Sequence, residues 1–257
     1  MSLLAKRLDY YKLYATTTEH KNKVRHSLRL IEKVCGRHER SYTAYSSGKD
    51  SLCLLHLTKT VNPEIRVMYF DSGVELPECA GIIEKTTREF NLNLSVLRSD
   101  KSILDIYEKK GAFYKAGKAN FAFSATMLKA ITEWAKQENL EVAFIGLRKE
   151  ESVSRRIMLG KYGDYFYAKT NAIHECFPLA EWSGSDVFAY IFSNNLEPYL
   201  HPAYYKDALV DNPEKIRISW TCDPTAAVRG CFLWLRMYYP DIFNALSCRF
   251  KEINGYV

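Results

Sequence analysis

The 257-residue chain contains no Cys-x-x-Cys pair, although it holds seven cysteines. Scattered thiols in a chain of this length exclude a small secreted scaffold stapled by disulfides. No unbroken run of 18 apolar residues occurs, and the first residues lack the apolar core of a leader peptide. The expectation is therefore a cytoplasmic protein that does not enter the membrane. Neither G-x-x-x-x-G-K-[ST] nor G-x-G-x-x-G stands at its small-residue turn, which removes the commoner phosphate-binding loops. What is present is ordinary for a globular chain able to bury a core: 47% hydrophobic and 26% charged residues.

The charge is unevenly placed. Residues 1–40 carry ten Lys and Arg (Lys6, Arg7, Lys12, Lys21, Lys23, Arg25, Arg29, Lys33, Arg37, Arg40) against four acids (Asp9, Glu19, Glu32, Glu39). That surplus equals the net +6 of the whole chain, so the remainder is neutral. The second half of this segment reads as a helix. Thr16-x-x-Glu19 has the form of a capping box, and Val24, Leu28, Ile31 and Cys35 make an apolar stripe. Lys21, Arg25, Arg29 and Lys33 follow at intervals of four on another face. Such a face suits either a solvated surface or contact with the phosphates of a nucleic acid.

From residue 41 strand-like and helix-like stretches alternate. Strands are expected at 42–45, 65–70, 92–97 and 142–145, with helices over 51–60, 77–90, 102–109 and 123–137. This alternation predicts an α/β fold, a parallel sheet with helices on both faces and ligands beyond the carboxyl ends of the strands. Three strand ends precede clusters that carry chemistry. The first is Ala44-Tyr45-Ser46-Ser47-Gly48-Lys49-Asp50-Ser51, a small-residue loop that leads into a helix. Its backbone can approach an anion closely, and the helix start supplies N–H donors. Lys49 adds a positive charge, and the hydroxyls of Ser46, Ser47 and Ser51 can bond phosphate oxygens. The second cluster places Asp71, Ser72 and Gly73 after a buried strand, as ligand contact or as cap for the helix opening near Pro77. The third runs from Gly146 to Arg156, where Arg148, Lys149, Arg155 and Arg156 have the forked or mobile charges that grip anions.

Taken in order, these clusters resemble the phosphoadenosine phosphosulfate (PAPS) reductase family, within the ATP pyrophosphatases known as adenine nucleotide α-hydrolases. The residues that carry the resemblance are Ser46-x-Gly48-Lys49-Asp50-Ser51, then Phe70-Asp71-Ser72-Gly73-x-x-x-Pro77-Glu78, then Gly146-x-Arg148-x-x-Glu151-Ser152-x-x-Arg155. Phe177-Pro178-Leu179-x-x-Trp182-x-x-x-Asp186-Val187-Phe188-x-Tyr190-Ile191 and Pro198-x-x-x-His201-Pro202-x-Tyr204 extend it. The resemblance implies a Rossmann-like, doubly wound, mostly parallel sheet binding an adenine nucleotide. It places N-terminal helices over 1–40, the nucleotide-binding unit over 41–205 and a helical extension over 206–257. It also implies that Ser46, Ser47, Gly48, Lys49 and Ser51 hold the phosphates, and that Asp50 caps the loop or helps to hold Mg²⁺. Asp71 and Ser72 would lie near the adenosine, and Gly146, Arg148, Glu151 and Arg155 at the anionic end. Trp182 and Asp186 would build and cap a helix over 183–194.

The departures steer the activity. PAPS reductases use a cysteine in a Glu-Cys-Gly-[Ile/Leu]-His motif, a sequence these residues do not contain, and tend to lack the Gly-Lys-Asp core that stands here as Gly48-Lys49-Asp50. An intact core suits ATP, cleaved between its α and β phosphates to adenylate an acceptor. Relatives that keep it include enzymes of sulfur insertion, among them DNA phosphorothioation enzymes. The expectation is therefore an ATP- and Mg²⁺-dependent enzyme of sulfur transfer. Nucleic acid, contacted through the basic N-terminal helix, and a sulfur-donor protein are its expected partners, in a homo-oligomer or a larger complex. PAPS reduction and a nucleotide-binding accessory subunit without turnover are the alternatives. Some relatives carry Gly-Cys-x-x-Cys where this chain has Gly230-Cys231-Phe232-Leu233-Trp234, so an iron–sulfur cluster built on such a pair is disfavoured. Cys222 and Cys231 stand as candidate reactive thiols, with Arg229 near enough in sequence to lower a pKa. A cluster on Cys176, Cys222, Cys231 and Cys248 is the further alternative.

Overall fold

The computed structural model describes residues 1–110, 122, 124–218 and 230–257. Its six strands are β1 (Ser41–Ala44), β2 (Arg66–Asp71), β3 (Asn93–Arg98), β4 (Val142–Phe144), β5 (Tyr165–Ala168) and β6 (Ile173–Cys176). They form one sheet in the order β3-β2-β1-β4-β6-β5, parallel except for β5, which runs antiparallel to β6. Thr43 at the centre is level with Val67 on one side and Phe144 on the other. The chain steps outward from β1 to β3, then returns to the far side of β1 for β4. The winding therefore reverses between β1 and β4, where the loops after those strands diverge and leave a crevice.

The helices among the described residues are α1 (Leu3–Lys6), α2 (Leu8–Ala15), α3 (Thr18–Cys35), α4 (Lys49–Val61), α5 (Glu78–Glu89), α6 (Ile103–Lys110), α7 (Lys129–Gln137), α8 (Val153–Tyr162), α9 (Gly184–Ser193), α10 (Cys231–Tyr238) and α11 (Pro240–Arg249). None is long and apolar enough to cross a membrane. Helix α4 is the central one: Leu52, Cys53, Leu54, Leu55 and Leu57 are all fully buried. Each such leucine contributes about 1.5–3 kcal/mol on burial, so the helix that begins at the candidate phosphate loop is held rigidly.

The expected strands appear within a residue of their anticipated ends and the helices within two, except the helix expected over 123–137, of which Ser124–Leu128 is a π-helical turn and only Lys129–Gln137 is α-helix. Two further features differ. The cap of α3 is Thr17, whose side chain accepts from the His20 amide at 3.3 Å, while the Thr16 hydroxyl donates to Leu13 O and closes α2. The expected capping box of Thr16 and Glu19 therefore does not form: the helix has a simple N-cap one residue later, and Glu19 pairs with Lys23. Strands β5 and β6 were not anticipated, because Tyr165–Ala168 and Ile173–Cys176 mix aromatic, charged and small residues at a half-exposed edge.

Helix α9 opens with a capping box in which the Ser183 amide donates to Asp186 Oδ2 at 2.8 Å and the Asp186 amide donates to Ser183 Oγ at 3.1 Å. Asp186, fully buried, also accepts from Lys23 Nζ at 2.7 Å and lies 3.0 Å from His20 Nδ1. Trp182 Nε1 donates to Ser27 Oγ at 3.0 Å, and Ser27 donates to Pro178 O at 2.6 Å. These bonds fasten α3 to the segment entering α9. Burial alone would raise the Asp186 carboxyl, but bonds from His20, Lys23 and Ser183 hold it well below the usual carboxylate range. A carboxylate with a depressed folded pKa stabilises the fold above its unfolded value of about 3.9, and that stabilisation is lost as pH falls below it. Asp186→Asn should therefore cost about 3–5 kcal/mol at neutral pH, measured by urea unfolding. It should also flatten the loss of stability that the parent shows below about pH 4. An unchanged acid limb would refute the assignment.

Candidate functional site

The loop after β1 enters the crevice through a turn that few side chains adopt: Ser47 has φ +55° and is buried. Non-glycine residues in that region are uncommon and need support from around them. The support is local. The Ser46 amide donates to Ser51 Oγ at 3.1 Å, the two hydroxyls of Ser46 and Ser51 lie 3.1 Å apart, and Ser51 Oγ donates to Gly48 O at 3.0 Å. Gly48 caps α4, whose first N–H groups have no intrahelical acceptor. That of Lys49 donates to the Tyr204 hydroxyl at 3.0 Å. The amides of Asp50 and Ser51 follow at the same helix start, where the partial positive charge is greatest.

Lys49 is 3% exposed, an unusual state for a lysine unless it is paired. Its Nζ lies 2.7 Å from Asp50 Oδ2 and above the Tyr204 ring, 5.7 Å from the centroid. The other Asp50 oxygen accepts from Arg148 Nε at 2.5 Å, across the crevice from the loop after β4. Burial would raise the Asp50 carboxyl, but Lys49 and Arg148 outweigh it and bring it down to about 2. Gly146 makes the close approach possible: a Cβ there would lie 3.4 Å from the backbone of Asp50 and Ser51. The loops after β1 and β4 thus meet across the point where the winding reverses.

Arg148 is 3% exposed and saturated with partners. Besides Asp50 it donates to Glu150 Oε2 at 2.7 Å and to Trp182 O at 3.3 Å, and its amide donates to Glu151 Oε2 at 3.0 Å. Glu150 Oε2 also accepts the Gly184 amide at 2.7 Å. Arg155 pairs with Glu151. The arginines expected at the anionic end therefore differ in placement: Arg148 orders the crevice from within, and Arg155 sits at its rim.

Asp71 belongs to a neighbouring hollow. Its Oδ1 accepts from the Gly73 amide at 3.0 Å and its Oδ2 from Arg98 Nε at 2.8 Å. A pocket of about 340 Å³ opens here between the ends of β2 and β3, lined among others by Asp71, Ser72, Gly73, Arg98 and Lys101. Ser72 donates to Glu75 Oε1 at 2.6 Å. The candidate phosphate loop and the Asp71 hollow lie at the same edge of the sheet, as the carboxyl ends of parallel strands require.

Among the described residues no group of three or more His, Cys, Asp or Glu side chains is gathered as a metal site. Both Asp50 oxygens already meet cations, so a Mg²⁺ ion bound there would have to replace one of them. Cys79 lies beneath the loop beside the Ser47 side chain, 1% exposed, and burial pushes its thiol up to about 11. Cys176 is fully buried at the end of β6, its thiol raised by burial. Cys231 begins α10, half-buried, and Cys248 is exposed on α11. Cys222 and Arg229 lie outside the described residues.

Two contacts were not assigned from sequence. Tyr204 supplies the acceptor for the Lys49 amide from 155 residues downstream, and Glu150 joins Arg148 to the start of α9. The signal for Tyr204 was its place at the end of the His201-Pro202-x-Tyr204 segment.

The phosphoadenosine phosphosulfate reductase domain matches this chain over residues 40–208. An uncharacterized protein of Methanocaldococcus jannaschii is 26% identical over 249 residues, which cover 94% of this chain and 57% of that protein. A phosphoadenosine 5′-phosphosulfate reductase of Buchnera aphidicola is 29% identical over 161 residues, 62% of this chain and 63% of the reductase. The matches thus span about three fifths of the length of these curated relatives. Among solved structures, a U34-tRNA thiolase of Methanococcus maripaludis, determined with its 4Fe–4S cluster, superposes with a TM-score of 0.54 at 16% identity, covering 92% of this chain and 79% of its own. An FMN adenylyltransferase of Candida glabrata gives 0.51 at 14% identity, covering 74% and 62%. At those identities the likeness is one of fold.

Tyr204→Phe removes the acceptor of a buried N–H while keeping the ring. It should cost about 1–3 kcal/mol in urea unfolding and weaken nucleotide binding to the loop, read by calorimetry. Unaltered stability together with unaltered binding would show that Tyr204 does not hold the loop.

Proposed function

Because the chain belongs to the phosphoadenosine phosphosulfate reductase domain family, we propose that it binds ATP at Ser46–Ser51 and cleaves it between the α and β phosphates, adenylating an acceptor in sulfur transfer. One observation carries this reading. The intact Gly48-Lys49-Asp50 core sets a buried lysine at a helix start, its charge held by a neighbouring carboxylate. A phosphate oxygen meeting Lys49 would take over the ammonium that Asp50 holds. On binding, the ammonium passes from the carboxylate to the phosphates, and Arg148 keeps Asp50 ionised.

The acceptor oxygen attacks the α phosphorus, a new oxygen–phosphorus bond forms, and the bond to the bridging α–β oxygen breaks. Pyrophosphate departs with the bonding electron pair. Negative charge grows on the leaving group, where Lys49 and the amides of Asp50 and Ser51 are already oriented, so little reorganisation is needed. A sulfur nucleophile from a donor protein then displaces AMP from the adenylated position. Magnesium would enter as the counter-ion of the nucleotide's phosphates.

Reduction of PAPS is the second reading, favoured by the match to the Buchnera aphidicola reductase. It calls for a nucleophilic thiol, for which Cys231 and Cys222 are the candidates, that takes the sulfonyl group as adenosine bisphosphate leaves; a thioredoxin-like dithiol then releases sulfite and is itself oxidised to a disulfide. With ATP and the acceptor, the protein should release pyrophosphate, and Lys49→Ala should lower the rate by at least about a hundredfold, as removal of a single stabilising donor does elsewhere. Sulfite from PAPS, with no pyrophosphate from ATP, would replace this reading with reduction. Nucleotide binding without either product would leave an accessory subunit.

A further inference from the structure

Helix α3 faces the protein with Leu30, Ile31 and Val34, which are buried, and faces outward with Lys21, Arg25, Arg29 and Lys33, all exposed. Intervals of four residues set these charged heads about 6 Å apart along the axis, a spacing comparable to consecutive phosphates on a nucleic-acid strand. Among the described residues none of the four pairs with an acid, whereas Lys23 on the same helix is drawn to Asp186 and Glu19. Among the described residues Arg25 bonds to Asn22 and to the Lys21 carbonyl. Glu32 is the one further acid of this helix.

An aromatic ledge adjoins the start of the stripe. Tyr10, 50% exposed, stacks on Tyr14 at 6.1 Å with 17° between the rings, and Tyr14 lies 5.8 Å from the His20 ring. A groove of about 530 Å³ lies between α3, α4 and α9, with Lys21 and Arg25 among its lining and His56, Tyr190, Ser193 and Asn194 opposite. His56 Nδ1 and the Tyr190 hydroxyl, 2.8 Å apart, give that wall a polar character. The volume falls in the range of pockets that hold small organic ligands, which includes an unstacked base.

From the stripe, the ledge and the groove together we infer that this face docks single-stranded nucleic acid. The stripe follows the backbone, Tyr10 stacks a base, and the groove takes a base turned away from its neighbours. A duplex hides the faces that Tyr10 would stack on. A membrane surface would call for an apolar face free to insert, but the apolar side of α3 is packed against the core. An acidic peptide would use the charges and leave the ledge and groove without a role. The inference goes beyond the adenylation reading and does not depend on it.

Fluorescence anisotropy with a labelled oligouridylate tests it on the whole chain. Four phosphate contacts on a single strand give a slope of about −3 in log K against log salt, or about fiftyfold weaker binding between 50 and 200 mM. The combined variant Lys21→Gln, Arg25→Gln, Arg29→Gln and Lys33→Gln should flatten that slope and bind at least about tenfold more weakly at low salt. Tyr10→Ala should weaken binding about tenfold and leave the slope unchanged, which loss of charge alone would not do. Both variants should bind ATP as the parent does, so a failure here is separate from failure of the nucleotide loop. Parent binding no tighter than that of the fourfold variant would overturn the inference. So would competition by polyglutamate or phosphatidylserine vesicles as strong as that by unlabelled oligouridylate.

Discussion

Confinement of the partly exposed Asp50 carboxylate between the buried charges of Lys49 and Arg148 is the constraint from which the rest of the crevice follows. A charge at this depth is tolerated only when paired and hydrogen-bonded, and removal of either cation would leave the other groups at several kcal/mol of disadvantage. Lys49 comes from the loop after β1 and Arg148 from the loop after β4, so the pairing fixes two loops against each other. It acts where the winding of the sheet reverses, the one place where such loops diverge and leave room for a ligand. Gly146 is the counterpart in shape, since its missing side chain lets the second loop lie against the backbone of the first.

The same pairing reaches outward. Arg148 holds Glu150 and the carbonyl of Trp182, Glu150 holds the start of α9, and Asp186 at that start holds His20 and Lys23 of α3. From the other direction Tyr204 brings the segment after α9 back to the Lys49 amide. The basic helix therefore joins the crevice through a chain of polar contacts that is buried at Arg148 and Asp186 and exposed at Glu150. Its inner face is fastened by those contacts and by apolar packing, and its outer charges are left to solvent or a partner.

Much of this was legible in the chain. Strands β2 and β4 announce themselves through short apolar runs, because a strand covered on both faces must be apolar almost throughout, whereas β1 is mixed and β3 alternates at a half-exposed edge. The hairpin of β5 and β6 escaped, since a half-exposed edge tolerates residues such as His174 and Glu175 that break such a run. The expected box with Glu19 does not form, and the cap falls on Thr17 rather than Thr16, two residues with the same hydroxyl. Only the backbone, extended at Thr17, distinguishes them.

At the site, the order of residues alone determined the kinds of chemistry on offer: a small-residue loop with a lysine, a carboxylate after β2 and an arginine-rich segment after β4. The tertiary structure decided which of them meet. It turned Arg148 from an expected anion grip into the buried partner of Asp50, paired Arg155 with Glu151, and enlisted Tyr204 and Glu150. Local pattern reports what a residue can do, because side-chain chemistry belongs to the residue. Whether Arg148 faces a ligand or the Asp50 carboxylate, and whether the Lys49 amide is capped, depends on partners 98 and 155 residues away, and only the folded sheet brings those together.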